Sequence, residues 1–348
     1  MSSQDITYRF LEGRLQYYYG RLDTIVKQNP WISLGVAFFA MLCLCGQILV
    51  WSVQWGAFGS LPDNRTLLFP PLEKASEIYS ADGALLGRVY LKDRTLITYR
   101  SLPVHVTEAL IATEDVRFYA HDGVDLRSLG RVLVRNILLG EKSAGGGSTL
   151  SQQLAKLWFP RQEFGYFSLL LNKVREMLIA EHIERLYPKD QVIVQYLNTV
   201  FLGEQAYGIE AAAYRYFGKQ SEDLTVEEGA TLVGMLQAPS YYNPYRHPDR
   251  ARQRRDIVLA QMLKYDYLDS TSYDSLRVLP LIIDYHPPRM YEGMAPHFRA
   301  YVTQTTRQWL KAHPKPDGSH WNIFTDGLKI TTSLDSRIQQ HAEEAVNS

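Results

Sequence analysis

The 348-residue sequence has only two cysteines, Cys43 and Cys45, and both lie inside a long apolar run. The rest of the chain has no cysteine, which excludes a disulfide framework there. Within the run, a Cys-x-Cys pair is more typical of apolar filling than of a metal or redox site. An excess of charge is also absent, because 37 Lys and Arg balance 37 Asp and Glu. This balance gives no support to a nucleic-acid partner.

Charged residues are missing altogether from 28–62. Inside this window, residues 32–53 form a nearly unbroken apolar run with tryptophans at both ends. A helix of that length measures roughly 33 Å, which is enough to cross the hydrocarbon core of a bilayer. A cleaved signal peptide is the alternative, but a polar stretch precedes the run and no clear Ala-x-Ala-like site is present. We therefore expect a retained transmembrane helix over 31–54.

Basic residues on the two sides of this helix predict its orientation. The first stretch after the helix offers only Arg65 and Lys74. The stretch before it carries four basic residues: Arg9, Arg14, Arg21 and Lys27. Residues 1–30 are therefore expected to form a cytoplasmic tail and 55–75 a connector, with the remainder outside the cytoplasm.

Beyond the connector, the sequence is mainly helical with one β hairpin. Residues 77–91 alternate in polarity on both sides of Asp82-Gly83, which is typical of a hairpin with a tight turn. Farther on, apolar residues recur at helical spacing between Gly and Pro breaks. This spacing predicts seven helices, over 106–118, 127–140, 149–159, 169–187, 189–203, 208–218 and 225–238. Past residue 265 the pattern of apolar residues predicts secondary structure less clearly. A strand followed by a helix is expected at the end, in 327–346.

Two glutamates lie at the border of an apolar helix face. Residues three or four apart are neighbours on a helix, so Glu114 lies beside Leu110, Ile111 and Phe118. A partly desolvated carboxylate suits a proton acceptor near neutral pH. Capping of the next turn, or an ion pair with Arg117, is the structural alternative.

Glu176 is the second such carboxylate, with Ile179 and Ala180 as near neighbours. Glu181 and Glu184 are predicted on the polar face of the same helix, where charges are normally solvated. Two half-buried carboxylates in one domain suggest acid/base or metal-assisted chemistry at a glycosidic centre. Glutamates at the edge of a core are also common without any chemistry.

Between these carboxylates lies the stretch SAGGGSTLSQQLAK, residues 143–156. Thr149 and Gln152 match a capping box, which predicts a helix start with free N–H groups. Such a terminus, with Lys156 one or two turns onward, predicts an anion site suited to phosphate. The Gly-Lys-Ser/Thr of a nucleotide P-loop is absent, which argues against ATP or GTP. A flexible loop with a good cap is the alternative.

The next segment, residues 157–171, is more aromatic and apolar than loops usually are. It is either a buried piece of the core or a flap that contacts lipid, and the predicted anchor favours the flap.

In this order, these stretches resemble the peptidoglycan glycosyltransferase domain of family 51, found in class A penicillin-binding proteins and monofunctional transglycosylases. EDVRFYAHDG is similar to its first motif, GGSTLSQQLAK to its second, KVRE to its third and KDQVIVQYLNTVFLG to its fourth. Later patterns extend the similarity from about Glu77 to Met262. The chain's end resembles the lead into a transpeptidase half, but no Ser-x-x-Lys or Lys-Thr-Gly occurs. We therefore expect a chain truncated before a transpeptidase domain.

The resemblance implies a mainly α, lysozyme-like, two-lobed glycosyltransferase domain over 76–265, with a small β hairpin at its start and one transmembrane helix before it. Residues 266–348 would be a linker and the start of a transpeptidase-side region. The implied reaction polymerises lipid II into glycan strands with inversion and releases polyprenyl diphosphate. The implied location is the bacterial inner membrane, as a single-pass protein with the catalytic domain outside the cytoplasm.

The implied partners are lipid II, the growing glycan strand and membrane lipid, with proteins of cell-wall elongation or division as candidates. Two other functions stay open. A lytic transglycosylase would cleave glycan with a similar fold but would need neither the phosphate loop nor lipid contact. An inactive or weakly active scaffold would recruit cell-wall partners without catalysis.

The resemblance also implies roles for individual residues. Glu114 would be the general base that takes the proton from the acceptor's 4-hydroxyl. Glu176 would assist at the departing diphosphate, where a divalent metal, Mg²⁺ or Mn²⁺, is the one cofactor that the resemblance allows. Lys173 would neutralise the leaving group. The residues that would hold donor sugar or phosphate are Ser148, Thr149, Gln153 and Lys156. Asp115 and His121 are expected to brace the turn and the cleft wall.

Three departures from the family pattern bear on this site. Asn172 stands where the family usually has Arg, which removes one phosphate-binding charge unless Arg161 or Arg175 replaces it. The flap is a few residues longer and more apolar than is common. Gly145 stands where Gln is frequent, which is a milder change.

Overall fold

The computed structural model describes residues 30–70, 75–90, 95–138, 147–287, 293–315 and 320–347. Contacts divide the chain into two units, Met1–Leu61 and Pro62–Ser348. The predicted cytoplasmic tail, apart from its last residue, lies outside the described residues, as does Gly145.

The first unit contains one long apolar helix, α1 (Pro30–Gln54). Its segment Ser33–Gln54 has 22 residues and a mean hydropathy of 2.2. Large apolar side chains along it, such as Phe39 and Leu44, are exposed. By length and composition this helix is able to cross a membrane, and it coincides with the predicted transmembrane segment.

The described part of the second unit is mainly helical, as predicted. Its helices are α2 (Asn64–Leu68), α3 (Val104–Glu114), α4 (Leu126–Leu138), α5 (Leu150–Trp158), α6 (Ser168–Leu186), α7 (Lys189–Thr199), α8 (Ile209–Phe217), α9 (Val226–Met235), α10 (Pro248–Lys264), α11 (Ser270–Val278), α12 (Pro296–Ala312) and α13 (Ser336–Asn347). All seven predicted helices are present as α3 to α9, and α13 is the predicted closing helix. The sequence did not delimit α11 and α12, and few of their side chains are buried.

Three short strands form the sheet, β1 (Ser76–Tyr79), β2 (Leu85–Val89) and β3 (Lys329–Thr331), in the order β2-β1-β3. β1 and β2 are the predicted hairpin, and β3 pairs with β1 in parallel. The hairpin and the closing segments also share a small core, whose buried members are Ile78, Leu86, Val89, Leu310 and Ile323. Since contacts join 62–348 in one unit, the domain limits at 75/76 and 265/266 stay predictions.

The larger helices pack in two groups. In one group, α5 packs against α6 and α7, with Leu154, Ile183 and Leu197 buried. In the other, α3, α9 and α10 pack on one another, with Leu110 and Leu259 buried. The segment between the end of α3 and the start of α5 joins the groups, and it carries most of the first sequence motif and the beginning of the second.

Gly123 allows this joining segment to pass close to α6. Its φ is +93°, and a Cβ there would lie 2.7 Å from the carbonyl carbon of Ala180 and 2.7 Å from the amide nitrogen of Glu181. Real Cβ atoms do not approach backbone so closely, so only glycine fits without a shift of α6.

We predict that Gly123→Ala destabilises the protein by about 3 kcal/mol or more, because backbone strain and overpacking add together. Gly83→Ala is the matched control, since Gly83 has φ +85° but nothing within 4 Å of a Cβ. The control should cost about 1–2 kcal/mol from strain alone. Thermal unfolding of the two full-length variants in detergent tests this, and equal melting temperatures would contradict it.

Candidate active site

Glu114 is the last residue of α3, because the backbone turns out of the helix at Asp115, where φ is −154°. Its side chain is half-buried, and Glu114 Oε2 accepts a hydrogen bond of 3.0 Å from the side-chain amide of Gln153. Gln153 Oε1 in turn accepts a 3.0 Å bond from the hydroxyl of Tyr196. Burial and the nearby Glu114 carboxylate raise the pKa of Tyr196. The phenol therefore stays a donor, which turns the amide group of Gln153 toward Glu114.

Thr149 is the N-cap of α5, as predicted, and its side chain is buried. Its hydroxyl donates to the carbonyl of Gly123 at 2.6 Å and accepts from the Gln152 amide at 3.2 Å. The reciprocal half of the predicted capping box is not seen, because Gln152 Oε1 accepts from Lys173 instead. The Thr149 hydroxyl has one proton and donates it to the Gly123 carbonyl, so this hydroxyl positions the helix start. None of its contacts shows the predicted substrate-binding role.

Asp115 occupies the N-terminus of α5. Its Oδ2 accepts a 3.0 Å hydrogen bond from the Leu150 amide, and His121 Nε2 lies 3.1 Å from the same oxygen. The prediction of free N–H groups is therefore wrong for Leu150, and also for Gln152, which is bonded to the cap. The anion at this helix start is a carboxylate of the protein itself. These contacts agree with the bracing role expected of Asp115 and His121.

Glu184 is buried beside this network. Its side chain is 4% exposed and contacts the ammonium of Lys189 and the hydroxyl of Ser151, and Glu184 Oε1 lies 3.9 Å from His121 Nδ1. The prediction that Glu184 is solvated is wrong, whereas Glu181 is 43% exposed. The groups that enclose Glu184 come from α5 and from the start of α7. A pattern read along α6 alone therefore could not reveal them.

Glu176 is connected to the start of α5 through Lys173. Its side chain is 8% exposed, and its two oxygens face Arg161 Nε at 2.7 Å and Lys173 Nζ at 3.6 Å. Lys173 also donates to Ser148 Oγ at 2.8 Å and to Gln152 Oε1 at 2.6 Å. Burial lowers the pKa of Lys173, as do the charges of Arg161 and Lys156.

Asn172 has a structural role in place of the missing charge. Its Oδ1 accepts from the Gln162 amide at 3.0 Å, and its Nδ2 donates to the carbonyls of Gln162 and Ser168 at 2.8 and 2.7 Å. Asn172 thus fastens the flap to the first turn of α6. The sequence flagged this position only as a departure from the family.

The donor set around Glu176 does not fit a divalent ion held by the protein. Two cations already neutralise this carboxylate, and the described residues contain no group of three His, Cys, Asp or Glu that could hold a metal. The candidate role of Glu176 as a metal ligand thus has no support in its contacts.

A cavity of about 350 Å³ opens beside Glu114. Glu114, Ser148 and Thr149 line one side of it, and Arg254 and Lys264 of α10 line another. The cavity-lining residues of α10 were not among the site residues predicted from the sequence. The sequence spacing could have indicated that they share one helix face. The four residues concerned are Arg254, Ile257, Gln261 and Lys264.

Residues 82–263, slightly more than half of the chain, match a family model described as transglycosylase. This range contains every site residue described above except Lys264. The chain belongs to the transglycosylase family. The match confirms the resemblance read from the motifs.

Relatives of this transglycosylase carry the names of penicillin-binding proteins. Penicillin-binding protein 1A of Vibrio cholerae is 34% identical over 308 residues, which cover 88% of this chain and 36% of the relative. Penicillin-binding protein 1F of Bacillus subtilis is 35% identical over 284 residues, covering 82% and 38%. Penicillin-binding protein 1A of Aquifex aeolicus is 39% identical over 226 residues, covering 65% and 30%.

The chain spans about a third of the length of these relatives. Among solved structures, it is similar to the crystal structure of penicillin-binding protein 1A from Haemophilus influenzae. The sequences are 26% identical and the TM-score is 0.42, over 79% of this chain and 29% of that one.

We predict that Glu184→Gln destabilises the transglycosylase by about 3 kcal/mol, because it leaves Lys189 without its buried counter-charge. Glu181→Gln on the same helix removes an exposed partner of Arg185 and should change stability by less than about 0.5 kcal/mol. Thermal melts of the full chain in detergent, read by circular dichroism, compare the two. Similar melting temperatures would show that Glu184 does not support the site.

Proposed function

We propose that the chain is a membrane-anchored peptidoglycan glycosyltransferase that polymerises lipid II into glycan strands with inversion. The observation that carries this proposal is the position of Glu114, whose carboxylate is oriented by Gln153 on the wall of a cavity. Lys173, which lies 3.6 Å from Glu176, is bonded to Ser148 and Gln152 at the start of the same helix. Residues at the start of α5 thus contact both the proposed base on α3 and the proposed leaving-group site on α6.

Glu114 is the general base in this proposal. The Glu114 carboxylate accepts the proton of the acceptor sugar's 4-hydroxyl as the hydroxyl oxygen attacks C1 of the donor sugar. The bond between C1 and the diphosphate oxygen breaks on the opposite face, and its electron pair leaves with the polyprenyl diphosphate. The configuration at C1 is inverted, and the proton on Glu114 then passes to solvent.

Lys173 and Lys156 stabilise the negative charge that develops on the diphosphate. Fixed cations lower the barrier when they are already in place before the bond breaks. Lys173 is in place, since Ser148 and Gln152 hold its ammonium. No step in this scheme uses a metal ion bound by the protein.

Membrane attachment in this proposal rests on α1 and on the flap. The 22-residue segment Ser33–Gln54 of α1 would anchor the chain in the bacterial inner membrane, with the N-terminus in the cytoplasm and the catalytic domain outside. In the flap and the first turn of α6, Tyr166, Phe167, Leu169 and Leu170 are exposed. An exposed apolar group of this kind suits contact with lipid around a substrate that carries a polyprenyl tail. Protein partners in cell-wall elongation or division stay a prediction.

The deciding test compares wild type with Glu114→Gln on labelled lipid II in detergent, with Mg²⁺ present. Loss of the base should lower the polymerisation rate by about a thousandfold. Glu108→Gln removes a carboxylate from the same helix outside the proposed chemistry and should keep the wild-type rate. Polymer at equal rates from wild type and Glu114→Gln would refute the base assignment. No polymer from either protein would favour the scaffold function, and fragments released from preformed glycan would favour a lytic enzyme.

Tyr196→Phe tests the orientation of Glu114. The variant keeps the ring but removes the bond that turns Gln153, so kcat for lipid II polymerisation should fall about tenfold with KM nearly unchanged. Tyr187→Phe removes another buried hydroxyl, one that binds the carbonyl of Leu67 at 3.0 Å, and should keep the wild-type kcat. Equal kcat values for the two variants would contradict the orienting role.

A further inference from the structure

Three cationic side chains line the cavity beside Glu114 and have no role in the reaction scheme above. Arg131 comes from α4, and Arg254 and Lys264 come from α10. The cavity, of about 350 Å³, is at the lower end of the size range of ligand pockets. A ligand whose hydroxyl reaches Glu114 therefore also lies close to these cations.

The three cations form no ion pair among the residues that the structure describes. Arg131 donates to a serine hydroxyl of its own helix at 3.4 Å, and Arg254 Nε donates to the carbonyl of Gly234 at 3.3 Å. Lys264 Nζ lies 5.0 Å from the centroid of the Tyr265 ring. Each of these partners is neutral, so none of them balances the positive charge on this wall of the cavity.

Two carboxylates share the cavity, but both are bonded within the protein. Buried Asp125 accepts from a serine hydroxyl at 2.6 Å and lies 3.6 Å from Arg117 Nη1. Asp115 accepts from the first amide of α5 and contacts His121. Neither carboxylate neutralises the three cations, which therefore suit anionic groups of the ligand.

The spacing of the cations indicates which anion they suit. Arg254 and Lys264 are ten residues apart on α10, which is about 15 Å along the helix axis. Their charged groups are held apart, because Arg254 is bonded to Gly234 and Lys264 lies over Tyr265. A diphosphate is too compact to reach both. A peptide of about five residues spans roughly 17 Å when extended, so separate carboxylates along it are able to reach both.

We propose that Lys264, Arg254 and Arg131 bind the carboxylates of the peptide that the acceptor carries. This inference rests on the proposed function, because lipid II has a peptide with free carboxylates on the sugar next to the one with the attacking hydroxyl. The wall formed by α4 and α10 selects acceptors with an acidic peptide, while Glu114 accepts the proton of the same bound molecule.

Calorimetric titration of the full chain in detergent tests the binding without catalysis. The probe is a soluble disaccharide–peptide with free carboxylates, which has neither diphosphate nor lipid. Lys264→Gln should raise its Kd about tenfold, through the loss of one charge-assisted contact. Arg252→Gln removes an exposed cation of α10 that does not line the cavity and should bind within twofold of wild type. Equal Kd values for wild type and Lys264→Gln would overturn the inference.

The same disaccharide–peptide with its carboxylates amidated separates a charge contact from a change in the shape of the cavity. Wild type should bind the amidated probe at least about tenfold more weakly than the acidic one. Wild type and Lys264→Gln should bind the amidated probe alike. A tenfold difference between the two proteins on the amidated probe would contradict a contact with carboxylates.

Polymerisation kinetics separate substrate binding from an effect on Glu114. Lys264→Gln should raise KM for lipid II with kcat nearly unchanged, because a peptide contact is made equally before and in the transition state. A fall in kcat at constant KM would show that the cation acts on Glu114. A loss seen with lipid II but not with the soluble probe would assign the cation to the acceptor's diphosphate. Either result overturns the inference.

The two proposals fail separately. If wild type polymerises lipid II and Lys264→Gln matches it in both assays, only the peptide site is refuted. If wild type makes no polymer but Lys264→Gln still weakens binding of the acidic probe, the peptide site stands and the polymerase function is refuted.

Discussion

The hydrogen bond between the Asp115 carboxylate and the first amide of α5 is the contact on which the site depends. It joins the end of α3 to the start of α5, and so connects the two groups of helices. His121 bonds to the same carboxylate, and buried Glu184 lies close behind it. A buried network of this kind is stable only when each charge has a partner, and here Lys189 completes it. Glu114, the residue before Asp115, is placed as a consequence.

This contact also decides where an anionic ligand can bind. A helix start attracts negative charge, but Asp115 already satisfies it. In the proposed function, phosphate binding therefore depends on side chains around Glu176. Lys173 is held by Ser148 and Gln152, and Arg161 is placed by the flap. Fixed cations of side chains therefore lie close to a helix start whose first amide is already bonded to Asp115.

Much of the helical region was predictable, because apolar residues at helical spacing and Gly or Pro breaks mark α3 to α9. The half-buried position of Glu114 followed from the same periodicity. The burial of Glu184 did not, since its partners lie on other elements. β3 was predicted as a strand, but its pairing with β1 joins residues about 250 positions apart, as in Ile78 with Ile330. No local pattern carries such information.

The sequence by itself determined the apolar helix α1, the order of the motifs and the identity of the candidate base, because each depends on local composition or helical spacing. Only the tertiary structure decided how the groups meet. It turned Thr149 inward, placed Asp115 at the helix start and brought Arg161 to Glu176. The reason is physical: hydrogen bonds and ion pairs form between whichever groups packing brings within about 3 Å, and packing is a property of the whole fold.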